Sequence, residues 1–454
     1  MTIQSINPAT EEVLAGFDEF TPEQVECALE TAATTFERWR RTTFAERSRL
    51  MAQASVHLRR QKEHLARLLT LEMGKPIVEA EAEIEKCAWN CEFYAENAER
   101  FLAREAVETN ASESYVAFEP LGPILAIMPW NFPFWQVFRF AAPAVMAGNV
   151  ALLKHASSVP QCALAIEEVF RAAGFPEGVF QALLMPGPAA QAVIEDRRIK
   201  AVTLTGSEET GAKVAQMAGH AIKKTVLELG GSDPFIVLAD AALDEAARAA
   251  VRARNQNAGQ SCIAAKRFIV VQTVIEEFER LLVDGTTALQ VGDPMLRETQ
   301  IGPLARSDLL DTLASQVQRS LEMGAKLSVG GHRIEGRGYF YEPTIVSQVT
   351  PSMPVAREET FGPVAAVLSV RDDDEALAVA NSTDYGLGAS LWTGDVDRGK
   401  ALARDIQAGC VFINGMVVSD PRLPFGGVKR SGYGRELSEF GIREFANIQT
   451  VWVK

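Results

Sequence analysis

The sequence predicts an α/β protein in which helices cover both faces of parallel sheets. The main observation is that short, almost continuous apolar runs alternate with stretches of helical periodicity after about residue 101. Such runs are typical of parallel strands that are buried on both faces. The runs lie at 124–128, 150–153, 201–204, 235–238, 268–271 and 411–413. Their alternation with helices indicates a doubly wound architecture, in which ligands bind beyond the carboxyl ends of the strands.

Composition and charge limit the classes of protein to consider. The chain has 454 residues, which at ~150 residues per domain corresponds to about three domains. Its net charge is −14, so it lacks the positive field that draws proteins to nucleic acid or anionic membranes. The sequence contains neither a long apolar run nor a signal peptide, and six cysteines do not make a disulfide framework. We therefore expect a cytoplasmic protein with no membrane or nucleic-acid partner.

Local patterns predict the elements that lie outside the large sheets. Thr21 and Gln24 form a capping box, so a helix is expected over 21–40, and helical periodicity continues to about residue 101. The polar segment 103–118 alternates weakly and predicts a hairpin. Residues 447–454 alternate as a C-terminal strand, which is a candidate for pairing with another subunit.

Polar residues follow several predicted strands, where a doubly wound fold binds its ligand. These segments are 129–133, 154–157, 205–207 and 414–416. In the first, Asn131 lies between two aromatic residues in a turn that Pro129 and Pro133 stiffen. A rigidly held side-chain amide can donate a hydrogen bond to a developing oxyanion. The commoner alternative is a turn asparagine that bonds its own backbone.

Two further residues are candidates for covalent chemistry. Cys262 follows Gly-Gln-Ser, just after a helix that is predicted to start near Leu243. Taken alone, a buried inert cysteine is the commoner explanation. Glu228 lies between two leucines, and burial there would raise its pKa toward the value that a general base needs. A buried structural ion pair is the alternative.

The signals for a bound nucleotide are indirect. Lys154 ends an apolar strand, from which its ammonium can reach a ribose or a phosphate. Ser157 and Ser158 follow it, either as helix caps or as phosphate contacts. The sequence has no Gly-x-Gly-x-x-Gly fingerprint, so a dinucleotide would bind without the usual phosphate turn. Cys87 and Cys91 lack a second pair of ligands, so no metal is expected.

Together these motifs resemble the aldehyde dehydrogenase superfamily over essentially the whole chain. The shared motifs are Pro-Trp-Asn-Phe-Pro at 129–133, Lys154, Thr-Gly-Ser at 205–207, Leu-Glu-Leu-Gly-Gly at 227–231, Gly-Gln-Ser-Cys at 259–262, Glu-Glu-Thr-Phe-Gly-Pro at 358–363, Asn414, Phe-Gly-Gly at 425–427 and Lys-Arg-Ser-Gly at 429–432. Within the superfamily, the chain is similar to bacterial succinate-semialdehyde dehydrogenases of a cyanobacterial type. The stretches that carry this finer resemblance are 125–130, 230–235 and 434–438.

The resemblance implies a fold of three parts and a homo-oligomer. A Rossmann-like nucleotide-binding domain corresponds to 1–101 with 120–228, and an α/β catalytic domain corresponds to 229–442. A small β oligomerisation domain corresponds to 102–119 with 443–454. The implied oligomer is a dimer or a tetramer.

The same resemblance assigns a reaction. Cys262 is the implied nucleophile, whose thiolate attacks an aldehyde to give a thiohemiacetal. The amide of Asn131 and the backbone N–H of Cys262 hold the oxyanion in this scheme. Hydride transfer to NAD(P)+ then gives a thioester, and Glu228 activates the water that hydrolyses it. The implied function is the oxidation of succinate semialdehyde to succinate.

The implied cofactor groove takes residues from several motifs. Glu359 and Phe361 match residues that hold the nicotinamide ribose and ring, and Lys154 matches a ribose-contacting lysine. The implied cofactor-binding residues are Trp130, Lys154, Ser157, Gly187, Gly206, Ser207, Leu229, Glu359 and Phe361. Members that prefer NAD commonly have a glutamate where this chain has Ser157. NADP is therefore the predicted preference, with NAD as a second cofactor.

Substrate recognition is where the sequence departs from the family pattern. Arg139 and Ser419 match an arginine and a serine that bind the substrate carboxylate in relatives. The second arginine position is Gln256, and Arg422 is an alternative source of that charge. A dehydrogenase of broader aldehyde specificity therefore stays open. A silent homologue and a CoA-acylating member are disfavoured, because the implied catalytic residues are all present.

Overall fold

The computed structural model describes residues 2–454 and has an α/β architecture, which confirms the predicted fold class. The strands are β1 Thr2–Ile6, β2 Val13–Asp18, β3 Glu105–Ala106, β4 Glu113–Pro120, β5 Pro123–Met128, β6 Val150–His155, β7 Phe180–Ala182, β8 Ala201–Thr205, β9 Lys224–Glu228, β10 Asp233–Val237, β11 Ala265–Val271, β12 Lys326–Val329, β13 Thr344–Ser347, β14 Val364–Val370, β15 Gly388–Trp392, β16 Cys410–Ile413, β17 Gly432–Tyr433 and β18 Ala446–Val453. Each of the predicted apolar runs overlaps a strand, and these strands are β5, β6, β8, β10, β11 and β16.

Helices connect the strands and supply the N-terminal part of the chain. They are α1 Pro22–Trp39, α2 Phe44–Arg60, α3 Lys62–Met73, α4 Ile77–Phe101, α5 Trp135–Met146, α6 Pro160–Ala172, α7 Ala190–Glu195, α8 Glu208–His220, α9 Leu243–Asn255, α10 Ile275–Thr287, α11 Ser307–Glu322, α12 Pro354–Arg357, α13 Asp373–Asn381, α14 Val396–Leu402 and α15 Ser438–Glu444. Within residues 2–454, none of these helices has the length and apolar character that a bilayer crossing requires.

The predicted capping box of α1 is present. Thr21 Oγ1 accepts a hydrogen bond from the Gln24 backbone N–H at 3.3 Å, and Gln24 Oε1 accepts one from the Thr21 N–H at 2.8 Å. The apolar face of α1 is buried and packs on the sheet at β6, while Trp39 Nε1 donates to Val145 O at 3.2 Å. Local sequence therefore fixes where α1 begins, and tertiary packing fixes which face it buries.

One sheet has six strands in the order β17-β9-β8-β5-β6-β7. Strands β5 to β9 run parallel, and the short β17 pairs antiparallel with β9. Every residue of β6 and β8 is buried, as expected for strands with helices on both faces. Because parallel strands end at the same edge, the residues after β5, β6 and β8 meet there.

A second sheet has seven strands in the order β12-β13-β14-β11-β10-β15-β16. The six strands β13, β14, β11, β10, β15 and β16 run parallel to one another, and β12 pairs antiparallel with β13. The segment that carries Cys262 joins α9 to β11, so it lies at the amino end of a strand. The segment 414–416, in contrast, follows the carboxyl end of β16, where Asn414 Nδ2 donates to Thr393 O at 2.9 Å.

The predicted hairpin and C-terminal strand form a third sheet, in the order β18-β4-β3. All its pairings are antiparallel, and β18 pairs with β4 of the same chain from Ala446↔Pro120 to Val453↔Glu113. Within residues 2–454 the other edge of β18 has no partner strand, and Ile448 and Trp452 on it are 65% and 50% exposed. Pairing with another subunit stays a prediction.

Candidate active site

A strained turn presents Cys262. Helix α9 ends at Asn255, and Asn257, Ala258 and Gly259 then adopt φ values of 56°, 52° and 73°. Left-handed backbone is costly for a residue other than glycine, so the surrounding contacts must hold this turn. A Cβ on Gly259 would collide with Gly362 O, which explains why glycine occupies this position.

The Lys266 ammonium holds the turn by hydrogen bonds to its backbone carbonyl groups. Its side chain is fully buried, and Nζ donates to Cys262 O at 2.8 Å and to Ser261 O at 3.1 Å. Glu359 Oε1 lies 3.7 Å from the same ammonium. Burial raises the pKa of the Cys262 thiol to about 12, and the positive charges of Arg139 and Lys266 oppose that rise. Lys266 was not predicted from the sequence, because a lysine near the start of a strand gives no signal of where its ammonium lies.

The turn with Asn131 packs directly on the cysteine turn. Asn131 Nδ2 donates to Gln260 O at 3.0 Å, while Gln136 Nε2 donates to Asn131 Oδ1 at 3.0 Å. Asn257 Nδ2 reaches back to Asn131 O at 2.8 Å. The amide thus bonds across to the neighbouring turn, rather than to its own backbone. Because an amide nitrogen carries two hydrogens, one N–H of Asn131 is left for a substrate oxygen.

A buried ion pair on α4 holds the start of α5. Glu83 accepts hydrogen bonds from the backbone N–H groups of Phe134 and Trp135, each at 2.9 Å, and it pairs with the buried Lys75. The Lys75 ammonium also lies 3.6 Å from the centroid of the Phe132 ring. Residues about 50 positions earlier in the chain therefore fix the turn that carries Asn131, and local sequence patterns do not predict such contacts.

Glu228 ends β9 as a buried carboxyl group. It is 2% exposed, and neither carboxyl oxygen has a hydrogen-bond partner among residues 2–454. Burial, followed by the nearby charge of Glu436, raises the pKa of Glu228 well above its usual range, while Arg139 opposes the rise. The direction of this shift is the one that the sequence predicts. The alternative of a structural ion pair is wrong, because the nearby Arg139 pairs with Glu436 and not with Glu228.

Arg139 lies on α5. Its guanidinium pairs with the buried Glu436, donates from Nη2 to Thr205 Oγ1 at 3.4 Å and stacks 4.6 Å from the centroid of the Phe425 ring. Burial raises the pKa of Glu436, and Arg139 again opposes the rise. Sequence reasoning missed Glu436 as a charged group of this site. It lies nearly 300 positions from Arg139, so only the fold brings the two together.

Cys262 faces a cavity of about 290 Å³, which we call the catalytic cavity. Arg139, Ser419 and Gln256 line it, as the substrate prediction requires. Lys86, Trp135 and Arg252 also line it, although none of the three was predicted from the sequence. Arg422 is not a substitute for the missing arginine, because its exposed side chain pairs with Asp420 at 2.7 Å.

Cys262 also lines a second cavity of about 450 Å³ at the carboxyl edge of the six-stranded sheet. It adjoins a third cavity of about 770 Å³, and both are lined by Ile127, Lys154 and Thr210. We call the two together the groove. Of the predicted cofactor-binding residues, the groove contains Trp130, Lys154, Gly187, Gly206, Ser207, Leu229, Glu359 and Phe361. The sequence did not point to Arg306, which lines the groove 5.7 Å from the centroid of the Trp130 ring.

Ser157 is the predicted cofactor-binding residue that does not line the groove. It is exposed, next to Ala156, which does line it. The interpretation of Ser157 and Ser158 as helix caps is wrong: α6 begins at Pro160, and its cap residue Val159 makes no side-chain bond. Proline at the first helical position moves the helix start past both serines.

The groove has the features that a dinucleotide requires. Helix α8 begins inside it at the cap Ser207, so its free backbone N–H groups and partial positive charge face the space. The Trp130 and Phe361 rings meet edge to face at 5.7 Å, and Glu359 accepts from the Gly231 N–H at 2.9 Å. A Cβ on Gly230 would meet the Glu359 carboxylate, so a larger residue there would displace that side chain. Within residues 2–454, no cluster of side chains offers a metal site.

Comparisons with known proteins agree with this geometry. A protein of Synechocystis named probable succinate-semialdehyde dehydrogenase (NADP(+)) is 54% identical over 453 residues, which is 100% of both chains. Succinate-semialdehyde dehydrogenase (NADP(+)) 1 of Mycobacterium tuberculosis is 50% identical over 456 residues, again 100% of both chains.

Solved structures agree as well. Succinic semialdehyde dehydrogenase from Streptococcus pyogenes, crystallised in complex with NADP+, superposes with a TM-score of 0.97 at 39% identity and covers 99% of both chains. A model of the aldehyde dehydrogenase family matches residues 1–451. The family match covers almost the whole chain, and Cys262 lies where the two cavities meet. The chain therefore belongs to the aldehyde dehydrogenase family.

Proposed function

We propose that this chain oxidises succinate semialdehyde to succinate with NADP+ as the preferred acceptor, through a thioester on Cys262. The observation that carries the proposal is that Cys262 lines both the catalytic cavity and the groove. An aldehyde carbon bound to this sulfur is therefore accessible from the cofactor side. The names of relatives at 50–54% identity support both the substrate and the cofactor.

Once the thiol proton has been removed, the Cys262 thiolate begins the reaction by attacking the aldehyde carbon, and the carbonyl oxygen becomes an oxyanion. The free N–H of Asn131 and the backbone N–H of Cys262 stabilise that oxyanion, at ~3–4 kcal/mol for each donor. Asn131 suits this role because its partners Gln136 and Gln260 fix the amide before substrate arrives. Bound NADP+ supplies the acceptor for the hydride that leaves this carbon.

Glu228 completes the reaction by taking a proton from the water that attacks the thioester. In the conformation described, its carboxyl group lines neither the catalytic cavity nor the groove. We infer that it rotates toward Cys262 for this step, because nothing within residues 2–454 holds its oxygens by hydrogen bonds. A raised pKa makes its carboxylate a stronger base than an exposed glutamate.

We also propose a division of labour among the sheets. The six-stranded sheet with the N-terminal helices, 1–101 and 120–228, binds the cofactor, and 229–442 supplies the catalytic cysteine. Residues 102–119 and 443–454 form the oligomerisation domain of a cytoplasmic homodimer or homotetramer. The unpaired edge of β18 and its exposed apolar side chains support that role.

A panel of aldehydes, each assayed with NADP+ and NAD+, tests the proposed function. We expect the highest kcat/KM for succinate semialdehyde with NADP+. An enzyme of broader specificity is the second candidate, because the neutral Gln256 lines the catalytic cavity where relatives have an arginine. Equal kcat/KM values for succinate semialdehyde and for butanal, an uncharged aldehyde of four carbons, would favour that candidate.

Arg139 is expected to contribute to recognition of the substrate carboxylate together with Ser419. Arg139→Ala should lower kcat/KM for succinate semialdehyde by roughly tenfold more than for butanal, because charge-assisted contacts contribute about 1.5–3 kcal/mol. The variant also leaves Glu436 buried without its cation, so thermal unfolding should be measured in parallel. Equal losses on the two substrates would assign Arg139 to pairing with Glu436 alone.

Cofactor choice is expected to depend on Ser157 and Lys154. The 2′-phosphate of NADP+ carries nearly two negative charges, which a lysine attracts and a neutral serine tolerates. Ser157→Glu should therefore reverse the preference toward NAD+, since the carboxylate repels the phosphate and accepts from a 2′-hydroxyl. The measurement is kcat/KM for both cofactors in both proteins. An unchanged NADP+ preference in the variant would assign the choice to other groove residues.

A further inference from the structure

We propose that Lys86 is a specificity-determining residue, whose ammonium binds the substrate carboxylate while the aldehyde carbon reaches Cys262. The inference rests on the proposed function and names a contact that supplies the charge missing at Gln256. Lys86 lies on α4, outside every motif that the sequence analysis identified, and it lines the catalytic cavity together with Cys262.

Two neighbours hold the Lys86 ammonium in place at the cavity wall. Its Nζ donates to Ser419 Oγ at 2.8 Å and lies 4.2 Å from the centroid of the Trp135 ring. Trp135 Nε1 donates to the same Ser419 Oγ at 3.0 Å. An ammonium has three N–H donors, and Ser419 takes one of them. The others remain for an anion in the cavity.

Lys86 differs from Arg139 in that its ammonium has no carboxylate partner in the described part of the chain. Arg139 already pairs with the buried Glu436, whereas no carboxylate within residues 2–454 forms an ion pair with Lys86. A half-buried cation without a counter-ion is unfavourable, so the cavity gains stability when an anion enters. A substrate carboxylate is such an anion.

The carboxylates around Lys86 are committed to other partners. Glu83, one turn away on α4, pairs with Lys75. Asp420, which follows Ser419, pairs with Arg422 at 2.7 Å. Neither carboxylate is therefore free to neutralise Lys86, and the positive charge remains available to substrate.

The charge of Lys86 should also be sensitive to pH. Burial, followed by the positive charge of Arg139, lowers the pKa of Lys86 to about 8, whereas Cys87, Glu83 and Asp420 act in the opposite direction. The ammonium is thus present below this pH and is lost above it. Preference for a carboxylate substrate should therefore decline as pH rises through about 8.

The test compares kcat/KM for succinate semialdehyde and butanal in four proteins. Lys86→Met should lower the ratio of the two values by roughly tenfold or more, since one charge-assisted contact is lost. Lys86→Arg should retain most of the ratio. Arg100→Gln, the matched control, removes one positive charge from an exposed side chain of the same helix, outside the cavity, and should change the ratio by less than roughly threefold.

The ratio should then be followed with pH in the wild type and in Lys86→Arg. Titrations of Cys262 and Glu228 affect both aldehydes and cancel in the ratio. The wild-type ratio should fall above about pH 8, and the arginine variant should keep it to higher pH. Parallel pH profiles in the two proteins would contradict the proposal.

The outcomes separate this inference from the proposed function. A wild type that does not prefer succinate semialdehyde to butanal contradicts the proposed function itself. A wild type with that preference, combined with an unchanged ratio in Lys86→Met, overturns the role of Lys86. If the methionine variant does not fold, the pH profiles decide: a ratio that falls above about pH 8 in Lys86→Arg just as in the wild type overturns the role of Lys86.

Discussion

Cys262→Ala is expected to abolish aldehyde oxidation while leaving NADP+ binding intact. Without the sulfur no covalent intermediate forms, and alanine is small enough to keep the turn that Lys266 and Gly259 hold. Initial rates measure the loss, and quenching of tryptophan fluorescence by NADP+ measures binding. Cys27→Ala is the matched control, because Cys27 is exposed on α1, far from the groove in sequence and outside its lining.

Retained turnover would identify a different nucleophile. If Cys262→Ala keeps even roughly a tenth of the wild-type rate, the covalent route is wrong, because loss of a nucleophile costs orders of magnitude. Loss of both oxidation and NADP+ binding would indicate a collapsed site. In that case Cys262→Ser, which preserves the polarity and nearly the size of the thiol, repeats the test.

Glu228→Gln is expected to give a burst of one NADPH per active site, followed by slow turnover. Hydride transfer precedes the step that needs the carboxylate, so the first turnover is normal and the thioester then accumulates. Stopped-flow absorbance measures the burst. Mass spectrometry of the acid-quenched protein should find a succinyl group on Cys262.

Hydroxylamine provides the matched control for this prediction. It attacks a thioester directly, without a general base, so it should restore rapid turnover to Glu228→Gln and accelerate the wild type much less. A variant with a normal first turnover and an unimpaired steady state would remove Glu228 from deacylation. A variant with no burst would assign Glu228 to a step before hydride transfer.

Much of the fold follows from local sequence. Five of the six apolar runs mark internal strands of the two large sheets, because a strand covered on both faces must be apolar throughout. The sixth run marks β16, a half-buried strand at the edge of the seven-stranded sheet. The capping box at Thr21 marks a helix start, because its hydrogen bonds close within four residues. Other strands were not predicted: β7 has three residues and the edge strand β12 is mostly exposed, while β13, β14 and β15 are buried but were not singled out.

The site was predicted through motifs rather than through contacts. Short motifs carry Asn131, Glu228 and Cys262, and the residue pattern of these motifs is enough to suggest a family. Sequence position does not give their surroundings. It did not reveal that Glu228 has unpaired carboxyl oxygens, or that Arg139 is paired with Glu436.

The sequence by itself determined the α/β class, the positions of the main strands and the candidates for the reacting groups. The tertiary structure alone decided which charges are paired and which are free. Lys86 and Ser419 are 333 positions apart, yet their side chains form a hydrogen bond beside Cys262. The physical reason is range: hydrogen bonds within a turn or a strand follow neighbouring residues, whereas a buried charge responds to every group that the fold brings within a few ångströms.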